Sequence, residues 1–345
     1  MGRKRVMVAM SGGVDSSVAA ALLKEAGYEV GGVYLRLWPD HSREEIIRNL
    51  ERTCQLLDIP LHKLNLEADF KRLVIDYFCQ EYHLGHTPNP CIACNQHLKF
   101  GLLLKWVLGT GADYLATGHY ARVKRSPDGY QLLKAIDPNK DQSYFLYTLG
   151  QGQLKHLLLP LGNLRKAEVR RLAERLGLPA SSTHDSQDVC FIPDNDYRSF
   201  IARHISLAPG DIINTEGKVL GRHGGLARYT VGQRQGLRLN KRLYVIRLDA
   251  SSNRLVVGTR DQLLSSSLSA GRLSWVSGKA PEPPGNITAR VRYRSPRVAA
   301  GLYPSDSRVE VQFSTPQLAI APGQAIVFYR GDAVLGGGVI EDRVN

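Results

Sequence analysis

The sequence predicts an α/β domain built on a parallel sheet, followed by a small β-rich central domain and a C-terminal β-barrel. Three observations predict it. Over roughly the first 120 residues, short apolar runs alternate with segments of helical periodicity, the pattern of βαβ units. From about residue 205 onward, Gly, Pro and Ser become frequent, the helical period vanishes and short β-rich runs recur. The chain has 345 residues and is 43% apolar, enough for two or three buried cores without disulfides or structural metals. The expected boundaries are 1–204, 205–266 and 267–345.

Val6–Met10 is a short buried strand, and the helix after it, from Ser16 to Ala26, stops at Gly27. Val30–Leu37 is the second strand. Ser42-Arg-Glu-Glu45 forms a capping box that opens a helix with Ile46, Leu50, Cys54 and Leu57 on one face. Leu61–Leu66 is a third strand, followed by helices over Asp69–Tyr82 and about Gln96–Leu108, and by a fourth strand at Tyr114–Thr117. A helix over 163–177 carries Val169, Leu172, Ala173 and Leu176 on one side and ends at Gly177-Leu-Pro179. The later strands are Leu243–Leu248, Arg254–Val257, Ile287–Arg294, Arg308–Phe313, Ala325–Tyr329 and Val334–Ile340, with a stiff Lys279–Gly285 loop. In the Ile287–Arg294 strand, Arg290, Arg292 and Arg294 would share one face, either solvated or tracking phosphates.

The formal net charge is +13. Residues 205–266 hold ten basic against four acidic side chains, the densest excess in the chain. A soluble protein this basic points to a polyanionic partner, most often nucleic acid. No apolar run is long enough for a membrane span, and the five residues Val6–Met10 are too few for a signal-peptide core. The expectation is a cytoplasmic protein without a membrane partner. Five cysteines are too sparse for a disulfide scaffold, and cytoplasmic thiols stay reduced, so any cysteine pairing points to catalysis or metal binding.

The strongest motif is Ser11-Gly-Gly-Val-Asp-Ser-Ser17, set between a strand and a helix. Backbone N–H groups of such a loop, and the helix dipole behind them, make an anion site. Gly12 and Gly13 permit close backbone approach, and Ser11, Ser16 and Ser17 add hydroxyl donors. Asp15 is out of place in a phosphate pocket unless it binds Mg²⁺ or orients the loop. No Lys follows the second glycine, so this is not a Walker A loop. A tight turn capping a helix is the plainer alternative.

The second motif is Cys91-Ile-Ala-Cys94. Pro88 and Pro90 predict an extended approach, with Cys94 just before a helix whose N-terminus would favour its thiolate. A zinc half-site completed by His83 and His86 is the alternative, although a second CxxC is missing. Cys190 sits in another loop-like stretch, Asp185–Pro193. Cys54 and Cys79 read as core residues. Leu335-Gly-Gly-Gly338 reads as a bulge or turn, since no helix follows it.

The Ser11–Ser17 string resembles the pyrophosphate-binding loop of the PP-loop ATP pyrophosphatases (adenine nucleotide alpha hydrolase-like). Over nearly its whole length the chain is similar to the bacterial tRNA-specific 2-thiouridylases. The strings that carry this are Met10–Ser17, Thr87–Pro90 with Cys94-Asn95 and Lys99-Phe100, Ala116–Arg122, Asn139–Tyr147, Asp185-Ser186 with Cys190–Ile192, Thr230–Leu237, Arg292–Arg294, Pro322–Gln324 and Leu335–Glu341. The resemblance implies ATP-dependent 2-thiolation of a tRNA wobble uridine, with adenylation of its C2 oxygen and release of pyrophosphate and AMP. Sulfur would come from a persulfide on Cys190, loaded by an upstream donor protein, with Cys94 as the partner thiol and a Cys94–Cys190 disulfide as the end state. ATP, with Mg²⁺, would lie on Ala9, Met10, Ser11, Gly12, Gly13, Val14, Asp15, Ser16, Leu35 and Gly118. The tRNA would meet Asn89, Pro90, Cys91, His119, Lys140, Asp141, Gln142, Arg292, Tyr293 and Gln324. The chain departs from the family at position 91, where many members have Asp. Cys91, Cys94 and Cys190 could instead ligate a [4Fe–4S] cluster with one iron open. A PP-loop ligase using a nitrogen nucleophile and a non-catalytic tRNA-binding protein are the rival functions.

Overall fold

The computed structural model describes residues 2–38, 44–179, 189–192, 196–237, 239, 241–282 and 287–344. The proposed capping box at Ser42 and the segment just before Val189 lie outside them. The first domain is organised by strands β1 (Arg5–Met10), β2 (Glu29–Arg36), β3 (Leu61–Asn65) and β4 (Tyr114–Thr117). All of them pair in parallel. A hairpin follows, β5 (Ala121–Ser126) and β6 (Gly129–Lys134), and then the two-residue β7 (Leu157–Leu158), which pairs in parallel with β4. The sheet order is β3-β2-β1-β4-β7. Chain direction through the sheet reverses between β1 and β4, and the crevice beyond the carboxyl ends of those strands is the usual ligand site in such folds.

Both faces of the sheet are covered, as a parallel sheet requires. Val6, Val8 and Met10 of β1 point into one core with Val18, Ala19 and Leu23 of helix α1 (Val14–Glu25) and with Val169 and Ala173 of the helix Lys166–Arg175. Met7 and Val33 face the opposite core, with Leu103, Leu104 and Val107 from the cysteine-bearing helix. The same core includes Val327, Tyr329 and Val334 from the C-terminal region, so it is continuous between the first and last parts of the chain.

The cysteine-bearing helix starts earlier than the sequence predicts. Pro90 is its first residue, and the Asn89 side chain caps it by accepting from the N–H groups of Cys91 and Ile92 at 3.2 and 3.4 Å. The missing proline N–H is one that helix geometry leaves unpaired at this position anyway. Cys94 therefore lies inside the helix, not ahead of it. From Cys94 to Leu103 the winding is that of a π-helix, continuing as α-helix over Leu104–Gly109. A second π-helical stretch, Lys71–Ile75, interrupts the helix expected over 69–82. Wide turns of this kind are uncommon and occur often at functional sites.

The central sheet comprises β8 (Gly210–Asn214), β9 (Val219–His223), β10 (Tyr244–Asp249) and β11 (Arg254–Gly258), in the order β10-β11-β8-β9. The last sheet comprises β12 (Leu264–Trp275), β13 (Thr288–Arg290), β14 (Val298–Pro304), β15 (Val309–Leu318), β16 (Ala325–Arg330) and β17 (Ala333–Val344). Its six strands close into a barrel through the β12–β17 pairing, which removes its edges. The β5–β6 hairpin attaches to this barrel, with Leu132 and Leu133 pairing with Val334 and Ala333. The expected strand Ile287–Arg294 ends at Arg290. Ser295 pulls the chain into a turn, its Oγ donating to the Arg292 carbonyl at 2.9 Å, so Arg290, Arg292 and Arg294 do not share a strand face. Among the described residues, no helix is long and apolar enough to cross a membrane.

Candidate active site

The Ser11–Ser17 loop leaves the carboxyl end of β1 and turns into α1 at the switch point. Gly12 has a φ of +80°, and a Cβ there would run into the side chain of Ile46. Loop hydroxyls fix the turn: Ser16 and Ser17 Oγ each donate to the Gly13 carbonyl at 3.1 Å. Ser16 Oγ also accepts from the Ser11 N–H at 3.2 Å. Gly13 is the N-cap of α1 and offers no side chain for its first N–H groups, which suits an anion held there. Ala9 is half-buried and Met10 buried beneath the loop. Leu35 stands near the end of β2 beside it, packed against both the sheet core and the core that contains Cys94.

The end of β4 lies against the loop. A Cβ on Gly118 would stand 2.9 Å from the Asp15 carbonyl carbon and from the Ser16 nitrogen, so the absence of a side chain is what lets the two segments touch. Two residues on, the Tyr120 hydroxyl donates to Asp15 Oδ1 at 2.7 Å. Lys166, the first residue of its helix, reaches both Asp15 oxygens at 2.8 Å. Sequence reasoning missed Tyr120 and Lys166 as site residues. Lys166 is 151 positions from its partner, and no local pattern marks that pairing.

His119 faces the other way, toward the cysteine-bearing helix. Its ring lies 5.7 Å from that of Phe100, and its Nδ1 is 2.8 Å from Thr117 Oγ1. Burial, and then the charge of Lys99, hold its pKa well below the usual histidine value, so the ring is neutral. Lys99 lowers the cysteine pKa values as well, but there it opposes burial instead of adding to it. Burial pushes the Cys94 thiol up, and Lys99 pulls it back in part. Cys91, half-buried, is also raised by burial, with Lys99 again opposing and Cys94 adding to the rise. The thiolate of Cys94 is thus disfavoured by burial rather than favoured by a helix N-terminus, which corrects the expectation from sequence. Lys99 is a third residue that sequence reasoning left without a role. In a π-helix a residue five positions on lies close to the same face, which an α-helix would not allow.

Cys94 is buried and Cys190 exposed. The residues flanking Cys190 anchor it: Phe191 and Ile192 are buried in the same core as Cys94, with Phe191 against Phe70 and Phe78 at 5.5 and 5.6 Å. Cys54 and Cys79 are buried core residues whose thiols burial pushes up to about 11. Among the described residues, no three His, Cys, Asp or Glu side chains gather closely enough to hold a metal ion. Cys91, Cys94 and Cys190 therefore do not assemble here as a cluster site.

The other tRNA-contact candidates fall into three groups. Asp141 is buried, its Oδ1 accepting from the N–H groups of Ala135 and Ser143 at 3.2 Å. Gln142 bridges to the Tyr120 backbone in both directions, at 2.8 and 2.9 Å, and Lys140 beside them is half-buried. Tyr293 packs on Phe145 with ring centroids 4.4 Å apart, while the exposed Arg292 donates to the Leu318 carbonyl. Gln324 Nε2 donates to the Thr87 carbonyl at 2.8 Å, and the Thr87 N–H donates to the Pro322 carbonyl at 2.8 Å. The barrel thus holds the strand-like approach to Asn89-Pro90-Cys91. Arg272 and His86 close the same contact by binding the buried Glu81 at 3.1 and 2.8 Å.

A protein from Geotalea uraniireducens called tRNA-specific 2-thiouridylase MnmA is 49% identical over 99% of this chain and 96% of its own. The chain belongs to the tRNA-specific 2-thiouridylase family. Thiouridylases of the same name from Acetivibrio thermocellus and Moorella thermoacetica are 45% and 47% identical over 99% and 97% of this chain, and cover 100% and 99% of their own. The thiouridylase chain also matches three described domain families. The tRNA methyl transferase HUP domain covers residues 4–194, the tRNA methyl transferase PRC-barrel domain 198–259, and the aminomethyltransferase beta-barrel domain 265–340. The parallel-sheet domain, central β-rich domain and C-terminal barrel of this thiouridylase follow in that order.

Proposed function

We propose that this tRNA-uridine 2-sulfurtransferase replaces the C2 oxygen of a tRNA wobble uridine with sulfur, using ATP, in the cytoplasm. The observation that carries the reading is the position of the β4 end. Gly118 touches the nucleotide loop, and His119, the next residue, packs on the helix that bears Cys94. Activation and sulfur transfer would thus share one strand end. In this reading the loop from Ala9 to Ser16, with Leu35 and Gly118, binds ATP, and Mg²⁺ arrives with its phosphates. Asp15 is already committed to Lys166 and Tyr120 and is not a free metal ligand.

The uridine O2 attacks the α-phosphorus, pyrophosphate leaves, and the poor leaving group becomes AMP. The terminal sulfur of a Cys190 persulfide, supplied by a donor protein, attacks C2 and AMP departs. The Cys94 thiolate then attacks Cys190 Sγ. The S–S bond to the base breaks, its electron pair stays on the sulfur at C2, and a Cys94–Cys190 disulfide remains for an external thiol to reduce. Cys190 is exposed to its donor, and Cys94 is sheltered until the end. The base must leave the anticodon stack to reach the pocket. Asn89, Pro90 and Cys91 form the base-side wall, and His119, Lys140, Asp141, Gln142, Arg292, Tyr293 and Gln324 form the tRNA side. Residues 205–266 and 267–345 grip the backbone beside the catalytic unit 1–204.

The test is nucleoside mass spectrometry of wobble-uridine tRNA incubated anaerobically with the protein, ATP, Mg²⁺ and a persulfide or sulfide source. 2-Thiouridine should form with wild type and with Cys91→Ser, and vanish with Cys94→Ser and Cys190→Ser. Loss in all three variants, tracking bound iron, would favour the cluster route. Pyrophosphate release without 2-thiouridine would point to a different PP-loop ligase.

A further inference from the structure

Asp15 is the one acidic residue in the Ser11–Ser17 loop. A lone carboxylate there repels a triphosphate, which carries several negative charges. It also has no reason to hold one orientation, because its helix position leaves it half-exposed. Lys166 answers both difficulties. Its ammonium bridges the two carboxylate oxygens at 2.8 Å, and only 10% of its side chain is exposed. Its own backbone N–H donates to Asp137 Oδ2 at 2.9 Å, which fixes the first turn of the helix from which the side chain extends. The Tyr120 hydroxyl holds Asp15 Oδ1 from the β4 side, and the ammonium lies 5.9 Å from the Tyr120 ring centroid. Three separate segments thus converge on one carboxylate: the start of α1, the end of β4 and the start of the Lys166–Arg175 helix.

We propose that Lys166 is a positioning residue of the nucleotide site, which neutralises Asp15 and, with Tyr120, makes its carboxylate the strut that fixes the loop. The inference rests on the reading of that loop as an ATP site. It replaces a metal-ligand role for Asp15 with a structural one. It also places the cation that a Walker A loop would carry in sequence on a distant helix, behind the loop rather than on the phosphates. A buried ion pair broken on one side leaves an uncompensated charge, whereas removal of both charges does not. The pair therefore has a distinctive double-variant signature.

The experiment is calorimetric titration of the full chain with a non-hydrolysable ATP analogue and Mg²⁺, for wild type, Lys166→Met, Lys166→Arg and Asp15→Asn/Lys166→Met. Thermal melting and tRNA binding are measured on the same samples. Lys166→Met should weaken nucleotide binding on the order of 10- to 100-fold, because the bare carboxylate then faces the phosphates. tRNA affinity should stay unchanged. Lys166→Arg should recover part of the loss, and the double variant, whose amide oxygen can still accept from the Tyr120 hydroxyl, should recover most of it and lose less than about tenfold against wild type, the coupling expected of a contacting pair. A double variant as weak as Lys166→Met would overturn the proposal in favour of direct phosphate contact. A folded Lys166→Met with wild-type affinity would also overturn it. Should Lys166→Met not fold, the double variant is read against wild type directly, and a tenfold or greater loss there is the refuting result. Wild type that binds no nucleotide would overturn the ATP reading and this inference with it, a result distinct from either of the others.

Discussion

Gly118→Ala is a small perturbation aimed at the backbone contact that joins strand end to nucleotide loop. The new methyl would stand 2.9 Å from the Asp15 carbonyl carbon and the Ser16 nitrogen, and 3.0 Å from Asp15 Cβ. Non-bonded carbon contacts settle at about 3.5–4.0 Å, so the loop or the strand end must move by roughly 0.6–1 Å. Two of the three crowded atoms are backbone, which cannot rotate away. Overpacking of this kind costs about 1–3 kcal/mol. Since about 1.4 kcal/mol is tenfold in affinity, the expected loss of nucleotide binding lies between roughly 5- and 150-fold if the loop takes the displacement. The assay is calorimetric titration with an ATP analogue, with pyrophosphate release as a second readout and melting temperature as the control for global damage. The reasoning predicts weakened nucleotide binding with tRNA binding intact. Unchanged nucleotide affinity in a variant of unchanged stability would refute it, because the methyl would then have fitted without moving the loop.

Alkylation followed by peptide mass spectrometry at pH 7.5 should modify Cys190 first and leave Cys54 and Cys79 nearly unreacted, since those two are buried with thiols raised to about 11. For Glu81, burial works to raise the pKa, but the hydrogen bonds from His86 and Arg272 and their charges outweigh it, so the folded value is lowered. A lowered folded pKa means stability that is complete above the unfolded value and is lost as pH falls through the folded one. Arg272→Met should therefore cost about 1–3 kcal/mol at neutral pH and little in acid, as read by urea denaturation at several pH values. Because His119 is held neutral by burial and Lys99, the pH profile of thiolation should show no inflection at the ordinary histidine value, and one that disappears in His119→Gln would contradict this. Binding of tRNA should fall steeply with salt, with a log–log slope of several negative units, as expected when many phosphates are neutralised.

Much of this molecule is legible in the sequence. Strands β1 to β4 and the helices between them announce themselves by apolar period, and the nucleotide loop by a glycine string between a strand and a helix. The strands that went unread are those whose residues alternate weakly. Ala121–Ser126 and Gly129–Lys134 carry charged and polar side chains on both sides, and only the Ser-Pro-Asp-Gly turn between them marks a hairpin. Gly210–Asn214 and Val219–His223 are similar, joined by a turn in which Asn214 Oδ1 accepts from the N–H groups of Glu216 and Lys218. At the site, cysteines and loop residues are visible because their types are uncommon. Lys99, Tyr120 and Lys166 are ordinary residues made significant by tertiary neighbours. The misplaced helix start at Cys94 has a local cause, since Asn-Pro reads equally well as a turn or as a cap followed by a first helical residue.

The β5–β6 hairpin has a consequence for how the chain is made. Its pairing partners, Ala333 and Val334, are synthesised about 200 residues after it. At roughly 5–20 residues per second, a ribosome needs about 10–40 s to deliver them. During that interval β6 has open hydrogen-bonding groups on the side away from β5, and the core shared with Val327 and Tyr329 is unfilled on one side. Folding of the first domain is therefore completed by β17, translated long after it, and a chain arrested before β17 would present an unpaired edge to other nascent chains. Arg125, Lys124 and Arg122 along β5 keep charged the hairpin's other edge, which stays the last strand of the sheet.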